Sequence, residues 1–518
     1  MNLSVEETAR ARRSVQAGCV QTGSAHLNRY QFDSARPQSD NDSWRTETAR
    51  QGTSMFKRRS MRLARLALTD LALTGLMLIG LLLAGFERSA PATDPDMLPE
   101  FRAVKGAIQQ LLHSKKPTDR IEALGQLEKF PVTDAAKLAL TVSTKDDSTE
   151  VREAAYATLG VIADNQQVSK FLLDSVEREM RRKEPGDPSV PLLGALLASK
   201  SERAFQETTA LLDKMVETTP GARLMAVELA DQLAAHGNEA DVALLVRLST
   251  TGAFAHQFGF RRSVIWALTR IDSKPAIGAL IGLVDKVDGE AQADAIKYLT
   301  SVTGQALGNN QPAWAKWWAE NSEKFVIPPQ SSRTLAAAKT VSPGVTMYYD
   351  LPVYATRVVF IMDTSRSMLG FRLAAAKKEL AEAINTLRPN DQFTVLVFDS
   401  NVRTWQKKLV VADSTNKKKA IQFVNKQETN LMTASFDALE AALAFDAEAI
   451  FFVTDGAPYG GKIAAPPEIV RVITVLNRSR RESIYTIGIG AGFVGSPMDT
   501  FLRTLAESNF GVYRRVDE

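Results

Sequence analysis

Hydroxyl and carboxylate side chains follow two predicted strands in the C-terminal third of this 518-residue chain. The run RVVFIMD predicts a buried strand that ends at Asp363, and Ser365 and Ser367 alternate along the turn that follows. A second predicted strand, AEAIFFVTDG, ends beside Asp455. Because the carboxyl ends of parallel strands meet at one edge of a sheet, we expect these oxygens to lie together. Oxygen donors without nitrogen or sulfur suit Mg²⁺, Mn²⁺ or Ca²⁺, so the pattern predicts a site for such a cation.

The spacing of these residues resembles that of the von Willebrand factor A (vWA) domain, over roughly residues 350–518. The metal-ion-dependent adhesion site (MIDAS) of that family carries D-x-S-x-S, then a threonine, then an aspartate in a T/S-D-G turn. The resemblance implies that the residues matching this pattern hold a divalent cation, with the hydroxyls in direct contact and the aspartates binding directly or through water. An open coordination position would then take an Asp or Glu carboxylate from a partner protein. The usual family glycine is Arg366 here, where it could cover the metal or pair with that carboxylate.

Two residues are candidates for the threonine of the motif. Thr433 precedes Ala438-Leu439 by five residues, as the threonine of relatives does, whereas Thr429 matches the common Thr-Asn pair but stands four residues too early. We assign Thr433, and Thr429 stays the alternative. We also expect the carboxylate of Asp363 to face solvent at its strand end, so that its removal would leave the fold intact.

Alternating strands and helices extend over residues 345–518 and predict a doubly wound, mostly parallel α/β sheet with helices on both faces, as in a vWA domain. The run TWQKKLVV, residues 404–411, is predicted as the third strand of this sheet. Prolines and small residues over 326–344 predict a linker before the domain.

Residues 100–325 show apolar side chains at helical spacing in one segment after another, with Pro and Gly turns between the segments. Units that recur about every 35–45 residues are typical of an α-solenoid of helix pairs. The segments VREAA and RRSVIWA resemble HEAT repeats. An irregular helical bundle is the alternative. We expect this HEAT-like region and the vWA domain to be separable folding units.

An apolar run of 21 residues, Leu66–Phe86, would span about 31 Å as a helix, which matches a bilayer core. Five Lys or Arg residues lie within 57–65, and only Arg88 follows the run closely. The positive-inside rule therefore predicts a single-pass membrane protein whose C-terminal domains lie outside the cytoplasm, in the periplasm of a bacterium. A buried core helix is a weaker alternative.

The flanks of this apolar run leave a second topology open. Residues 1–65 predict a disordered basic segment, and Met55 or Met61 would be a plausible true start. A start there, together with Ala90-Pro91-Ala92, would suit a cleaved signal peptide and a secreted protein.

Composition excludes several other classes of function. The net charge of +4 comes from the first 65 residues, which hold twelve Lys or Arg against six Asp or Glu, so the body lacks the basic field of a nucleic-acid-binding protein. The single Cys19 excludes intrachain disulfides and cysteine-based zinc sites. The loop at 456–462 resembles a nucleotide-binding loop, but Ile463 replaces the required Ser or Thr and Pro458 removes a phosphate-binding N–H. No histidine follows His256 to serve as a base for a serine nucleophile.

These observations predict a membrane-anchored, metal-dependent protein for binding or adhesion, and not an enzyme. The combination of HEAT-like repeats with a C-terminal vWA domain is similar to that of uncharacterised bacterial membrane proteins. The expected cation is Mg²⁺, or Mn²⁺ or Ca²⁺, and the expected partner is a protein carboxylate and not a nucleic acid or a nucleotide. A metal-free structural scaffold and a metal-dependent hydrolase are the alternatives.

The predicted topology can be tested with reporter fusions. A secreted phosphatase fused after Glu518 should be active in cells, because the positive flank of the apolar run holds the N-terminus in the cytoplasm. A reporter that works only in the cytoplasm, fused at the same residue, should be inactive. Activity of that cytoplasmic reporter would overturn the topology.

Overall fold

The computed structural model describes residues 97–182, 189–333 and 345–517, which lie within one compact unit. The predicted basic segment at 1–65 and the apolar run at 66–86 lie outside the described residues. Within the part of the chain that is described, no helix has the length and apolarity that crossing a membrane requires.

The first two described ranges form a wholly helical region. Its helices are α1 (Leu98–Leu112), α2 (Pro117–Leu127), α3 (Thr133–Lys145), α4 (Thr149–Ile162), α5 (Gln166–Met180), α6 (Ser189–Ala198), α7 (Glu202–Val216), α8 (Pro220–His236), α9 (Asp241–Leu248), α10 (Gly252–His256), α11 (Phe258–Arg270), α12 (Lys274–Leu283), α13 (Gly289–Thr303) and α14 (Gln311–Asn321). In one layer α2, α4, α6, α8, α11 and α13 pack successively side by side, and most of the other helices form a second layer. This layered order is that of a helical repeat region. Its assignment to HEAT repeats stays a prediction.

Local sequence explains why these helices begin where they do. The Ser148 hydroxyl accepts a hydrogen bond from the Val151 N–H and so caps α4. Further along α4, Ala155 and Leu159 are fully buried on the same face as Val151. Each such amphipathic helix hides its apolar stripe against its neighbours, which holds the layers together.

The third described range is an α/β domain. Its elements are β1 (Thr346–Tyr348), β2 (Leu351–Val353), β3 (Arg357–Asp363), α15 (Phe371–Thr386), β4 (Gln392–Phe398), β5 (Val402–Thr404), β6 (Val410–Val411), α16 (Ser414–Asn425), α17 (Ser435–Ala442), β7 (Ala449–Thr454), α18 (Pro466–Asn477), β8 (Ser483–Ile489), α19 (Pro497–Glu507) and β9 (Tyr513–Val516). The main sheet has the order β5-β4-β3-β7-β8-β9, and its five longer strands are parallel. Helices α15 and α16 cover one face, while α17, α18 and α19 cover the other. The prediction of a doubly wound parallel sheet is confirmed.

The prediction of a single strand over residues 404–411 is wrong. The chain turns back after β4 and forms two short strands, β5 and β6, each antiparallel to β4. Between them Lys407 and Lys408 are exposed to solvent and interrupt the pairing.

A buried arginine joins the helical region to the α/β domain. Arg262 on α11 is 2% exposed. Its Nη1 donates to the Arg481 carbonyl and to the Ser483 hydroxyl, both at 2.8 Å, and its Nε donates to Asp294 at 2.7 Å. Both acceptors in the α/β domain lie at the amino end of β8. The helical region therefore covers the edge of the sheet at which the strands begin.

A glutamate of the α/β domain caps a helix of the helical region. Glu448 directly precedes β7 and is fully buried, and its Oε2 accepts from the N–H groups of Glu290 (3.3 Å) and Thr356 (3.2 Å). The N-cap residue of α13, Asp288, makes no side-chain cap of its own. Gly289 permits this contact, because a Cβ there would lie 1.7 Å from Glu448 Oε2. The two regions thus share a polar interface that the sequence analysis did not predict.

The predicted linker begins on the helical region. Arg333 forms an ion pair with Asp272 at 2.6 Å, so residues 326–333 are held there. Residues 334–344 lie outside the described residues. Independent folding of the two regions stays a prediction.

Two glycines test the tight contact between the regions. A Cβ on Gly259 of α11 would lie 2.2 Å from the Ser479 carbonyl oxygen and 2.9 Å from that of Arg480. Gly259→Ala should therefore lower the free energy of unfolding by about 1–3 kcal/mol, as overpacking does. The matched control is Gly282→Ala in α12, where nothing lies within 4 Å of the new Cβ and the change should stabilise. Denaturant unfolding of both variants measures the difference, and equal effects would contradict the close approach.

Glu290 makes this interface sensitive to pH. Burial raises its pKa to about 7, although the guanidinium of Arg262 opposes that shift. The carboxylates of Asp294 and Glu448 raise the pKa further, while the Tyr485 hydroxyl donates to Glu290 Oε2 at 2.9 Å and lowers it. One buried guanidinium thus faces two nearby carboxylates, and it pairs with Asp294.

The pKa of Glu290 fixes the sign of the pH dependence. The folded protein binds this proton more tightly than the unfolded chain, whose reference pKa is 4.5, so stability falls as pH rises from about 4.5 to about 7. Glu290→Gln removes this titration, so the stability of the variant relative to the wild type should rise by roughly 1–3 kcal/mol between pH 4.5 and pH 8. Unfolding curves across this range provide the measurement. A difference that does not vary with pH would rule out the assignment.

Candidate functional site

Two neighbouring parallel strands bring the predicted residues together. Asp363 is the last residue of β3, Thr454 is the last residue of β7, and these strands pair directly. Asp455 follows β7 at once, and the turn bearing Ser365 and Ser367 follows β3. The convergence expected at the carboxyl edge of the sheet is therefore present.

The carboxylate of Asp363 is fully buried, so the expectation that it faces solvent is wrong. As the last residue of a central strand, it points into the space between β7 and the following turn. Its Oδ1 accepts from the Ser365 N–H at 2.6 Å, and its Oδ2 accepts from the Thr454 hydroxyl at 2.5 Å. Burial raises the pKa of Asp363 to about 7 and Asp455 adds to the rise, while these hydrogen bonds lower it.

A chain of hydroxyls connects the two strand ends. The Ser365 and Ser367 hydroxyl oxygens lie 3.0 Å apart, and the Ser367 hydroxyl donates to Asp455 Oδ1 at 2.7 Å. Ser365 is 2% exposed and Asp455 is 8% exposed, whereas Ser367 is exposed to solvent. The group is therefore a recessed cluster of oxygens that opens outward beside Ser367.

Thr433 reaches the same point from a third segment. A Cβ on Gly456 would lie 3.2 Å from the Ser367 hydroxyl oxygen and 3.6 Å from that of Thr433, so the two hydroxyls flank one position. Reciprocal backbone hydrogen bonds with Tyr459, at 2.8 and 3.0 Å, fix Thr433 in place. The alternative threonine, Thr429, is half-buried. It precedes Asn430, whose N–H donates to the Thr364 carbonyl at 2.9 Å.

An arginine that sequence reasoning missed contacts the cluster. Arg372, in the first turn of α15, donates from Nη1 to Asp455 Oδ2 at 2.8 Å. Arg366, which the sequence analysis singled out, is exposed. The signal available in the sequence was an arginine five residues after Ser367, where the first helical turn returns to the strand edge.

A second set of polar residues supports the cluster from the β4 side. Thr364 donates its hydroxyl to Asp399 Oδ2 at 3.1 Å, and Arg403 pairs with the same carboxylate at 2.7 Å. The carbonyl of Asp399 accepts from the Ala434 N–H at 2.9 Å, next to Thr433. Asp399 thus ties the turn after β3 to the segment that carries Thr433. Sequence reasoning also missed this residue.

The donor set fits a hard divalent cation. Two carboxylates and three hydroxyls converge, with no nitrogen or sulfur donor among them, and such oxygen sets suit Mg²⁺, Mn²⁺ or Ca²⁺. A cation would also offset the cost of the buried negative charge on Asp363. No group of three or more His, Cys, Asp or Glu side chains positioned for a metal exists among the described residues. Any cation here depends on the hydroxyls.

Comparison with known proteins identifies the domain. Residues 356–515 match the family model described as von Willebrand factor type A domain, and the chain carries a vWA domain there. Inter-alpha-trypsin inhibitor heavy chain H2 of Mus musculus is 28% identical over 173 residues, which are 31% of this chain and 18% of that protein. Inter alpha-trypsin inhibitor, heavy chain 4, of Mus musculus is 28% identical over 182 residues, 33% of this chain and 19% of that protein. This chain spans about a fifth of the length of these relatives.

Solved structures also match part of the chain. A von Willebrand factor type A protein from Catenulispora acidiphila is 22% identical, with a TM-score of 0.28, covering 31% of this chain and 38% of that one. The conserved hypothetical protein BatB from Bacteroides thetaiotaomicron is 18% identical, with a TM-score of 0.25, covering 31% of this chain and 90% of that one.

Proposed function

We propose that the vWA domain binds a divalent cation, Mg²⁺ in the first instance, and through it an Asp or Glu carboxylate of a partner protein. The observation that carries the proposal is the Ser367 hydroxyl. It lies 3.0 Å from the Ser365 hydroxyl and 2.7 Å from Asp455 Oδ1, and it is the exposed member of the recessed cluster. Protein binding or adhesion is thus the proposed activity, and no catalysis is assigned.

Each side chain has a separate role in this proposal. Ser365, Ser367 and Thr433 offer neutral hydroxyl oxygens, and Asp363 and Asp455 supply the negative charge. A bound cation contributes a positive centre whose open coordination position accepts a carboxylate oxygen. Because hydroxyls replace further carboxylates here, the two carboxylates balance the charge of the cation without making the site net negative, and an acidic side chain can still approach the metal.

The context proposed for this domain follows from the rest of the sequence. The helical region would serve as a HEAT-like support, and the apolar run at 66–86 would anchor the chain in a bacterial membrane with the vWA domain outside the cytoplasm. Secretion after signal-peptide cleavage is the alternative. The buried interface around Arg262 supports a role of the helical region in holding the domain.

A metal-free scaffold is the second candidate, and Arg372 favours it. Its guanidinium lies 2.8 Å from Asp455 Oδ2 and supplies a positive charge without a metal. Titration calorimetry of Mg²⁺, Mn²⁺ and Ca²⁺ into the full chain separates the two candidates. Heat of binding with one site per chain supports the cation. If none of the three cations binds, the metal-free scaffold becomes the favoured candidate.

Asp363→Asn tests the cation directly. The variant keeps the size of the side chain and removes its charge, so the metal-free melting temperature should change little while the rise induced by Mg²⁺ is lost. At a concentration 100 times its Kd, a cation that binds only the folded state stabilises by about 2.7 kcal/mol. Thermal melts with and without Mg²⁺ measure this effect. An unchanged metal-induced shift in the variant would refute the adhesion site.

Two valine substitutions discriminate the threonine candidates. Thr433→Val should weaken Mg²⁺ binding by at least about tenfold, the scale on which metal sites lose affinity when a supporting group is removed. Thr429→Val is the matched control, since it also removes one hydroxyl at nearly constant volume, and it should leave affinity unchanged. The reverse pattern would transfer the assignment to Thr429.

A further inference from the structure

Large apolar side chains are exposed on the segments that border the oxygen cluster of the vWA domain. We call this set the apolar collar. It consists of Leu369, Phe371, Leu431, Met432, Tyr459, Phe493 and Val494, which are 48–78% exposed. Large apolar side chains left in water on neighbouring segments of a folded domain are typical of interaction surfaces.

The collar is attached to the same segments that carry the cluster. Leu369 and Phe371 follow Ser367 by two and four residues, and Leu431 and Met432 directly precede Thr433. Tyr459 forms the reciprocal backbone pair with Thr433. Phe493 and Val494 lie in the loop after β8, at the same carboxyl edge of the sheet.

Part of the collar is held in a fixed conformation. Met432 has a φ of +63°, a left-handed backbone angle that residues other than glycine rarely adopt. Its sulfur lies 3.0 Å from the position that a Cβ on Gly460 would take, so it packs closely on that glycine. The Leu431 carbonyl accepts from the Ser400 hydroxyl at 2.6 Å. The backbone that presents these two apolar side chains is therefore constrained, as at many binding sites.

The helical region leaves the collar uncovered. All of its polar contacts described above reach residues at the amino edge of the sheet, such as Ser483 and Glu448, and the collar lies at the carboxyl edge. The packing of the two regions against each other therefore leaves the collar exposed to solvent.

We infer that the collar binds a protein segment in which one Asp or Glu is flanked by bulky apolar residues. The inference rests on the proposed cation site, which would take the carboxylate, and it adds the specificity of the flanks. Asp363 and Ser365 are buried, so only a carboxylate on a projecting side chain reaches the cluster, and its neighbours then press on the collar. The exposed Arg366 next to Ser365 complements the same acidic group.

A protein segment fits this surface better than a membrane does. The cluster is recessed and the collar residues are exposed, so a side-chain carboxylate can enter the recess while the flanking residues stay outside. A lipid surface would need to insert the collar and also deliver a headgroup into the recess. Vesicle binding is therefore an outcome of the test and not the proposal.

The experiment is a selection of peptides on the full chain. A displayed library of random 12-residue peptides with one central Asp is selected against the full chain in Mg²⁺ and counter-selected against Asp363→Asn. Enriched peptides should carry Leu, Phe, Ile, Met or Trp next to the Asp. A recovered peptide is then resynthesised, and its affinity is measured by fluorescence anisotropy with Asp and with Asn at the centre.

Two variants separate the collar from the cation site. Phe371→Ser combined with Leu431→Ser should weaken the recovered peptide at least tenfold and leave the Mg²⁺-induced rise in melting temperature intact. Val475→Ser is the matched control, because Val475 is an exposed apolar residue of α18 away from the collar, and its affinity should equal that of the wild type.

Each failure has a separate meaning. Mg²⁺- and Asp-dependent peptides without apolar flanks, or no loss in the double variant, would overturn the collar and leave the proposed function standing. If Mg²⁺ does not raise the melting temperature of the wild type, the proposed function itself is wrong. Collar-dependent capture of phosphatidylserine vesicles with no peptide enrichment would assign the surface to lipid and overturn the inference.

Discussion

The carboxylate of Asp363 is buried where β3 ends, and a charge in that position requires partners close at hand. The Ser365 N–H and the Thr454 hydroxyl supply two hydrogen bonds, which fix the turn after β3 against the end of β7. Once that turn is fixed, Ser367 lies within reach of Asp455. One buried group thus aligns two strand ends, and the geometry of the site follows from how its charge is satisfied.

The two edges of the sheet carry different tasks. At the amino edge, Glu448 and Arg262 join the vWA domain to the helical region through buried hydrogen bonds, which demand exact partners because an unmatched buried polar group is costly. At the carboxyl edge, the oxygen cluster and the apolar collar stay open to solvent. Because the helical region contacts the vWA domain at the amino edge, the carboxyl edge stays free. The helical region can therefore orient the proposed binding face without contacting it.

The sequence predicted the parts of the site that depend on strand order. Asp363, Ser367 and Asp455 follow buried β runs, and the parallel topology brings such positions to one edge. Single-residue contacts made across the fold were not predictable in this way. Arg372 reaches Asp455 only because α15 starts close to the strand edge, and the Glu448 cap joins residues more than 150 positions apart. The burial of Asp363 was also missed, because the pattern marks where a strand ends but not how deeply that end lies.

Arg372 gives the proposed site an internal competitor. Its guanidinium and a cation would both interact with the carboxylate of Asp455. The free energy of cation binding therefore has to outweigh that of the Arg372–Asp455 ion pair, which is made at 2.8 Å. Because Arg372 is partly exposed, displacing it costs less than breaking a fully buried pair. Under the proposed function, Arg372 therefore limits cation affinity in the free protein, because every binding event has to separate its guanidinium from Asp455.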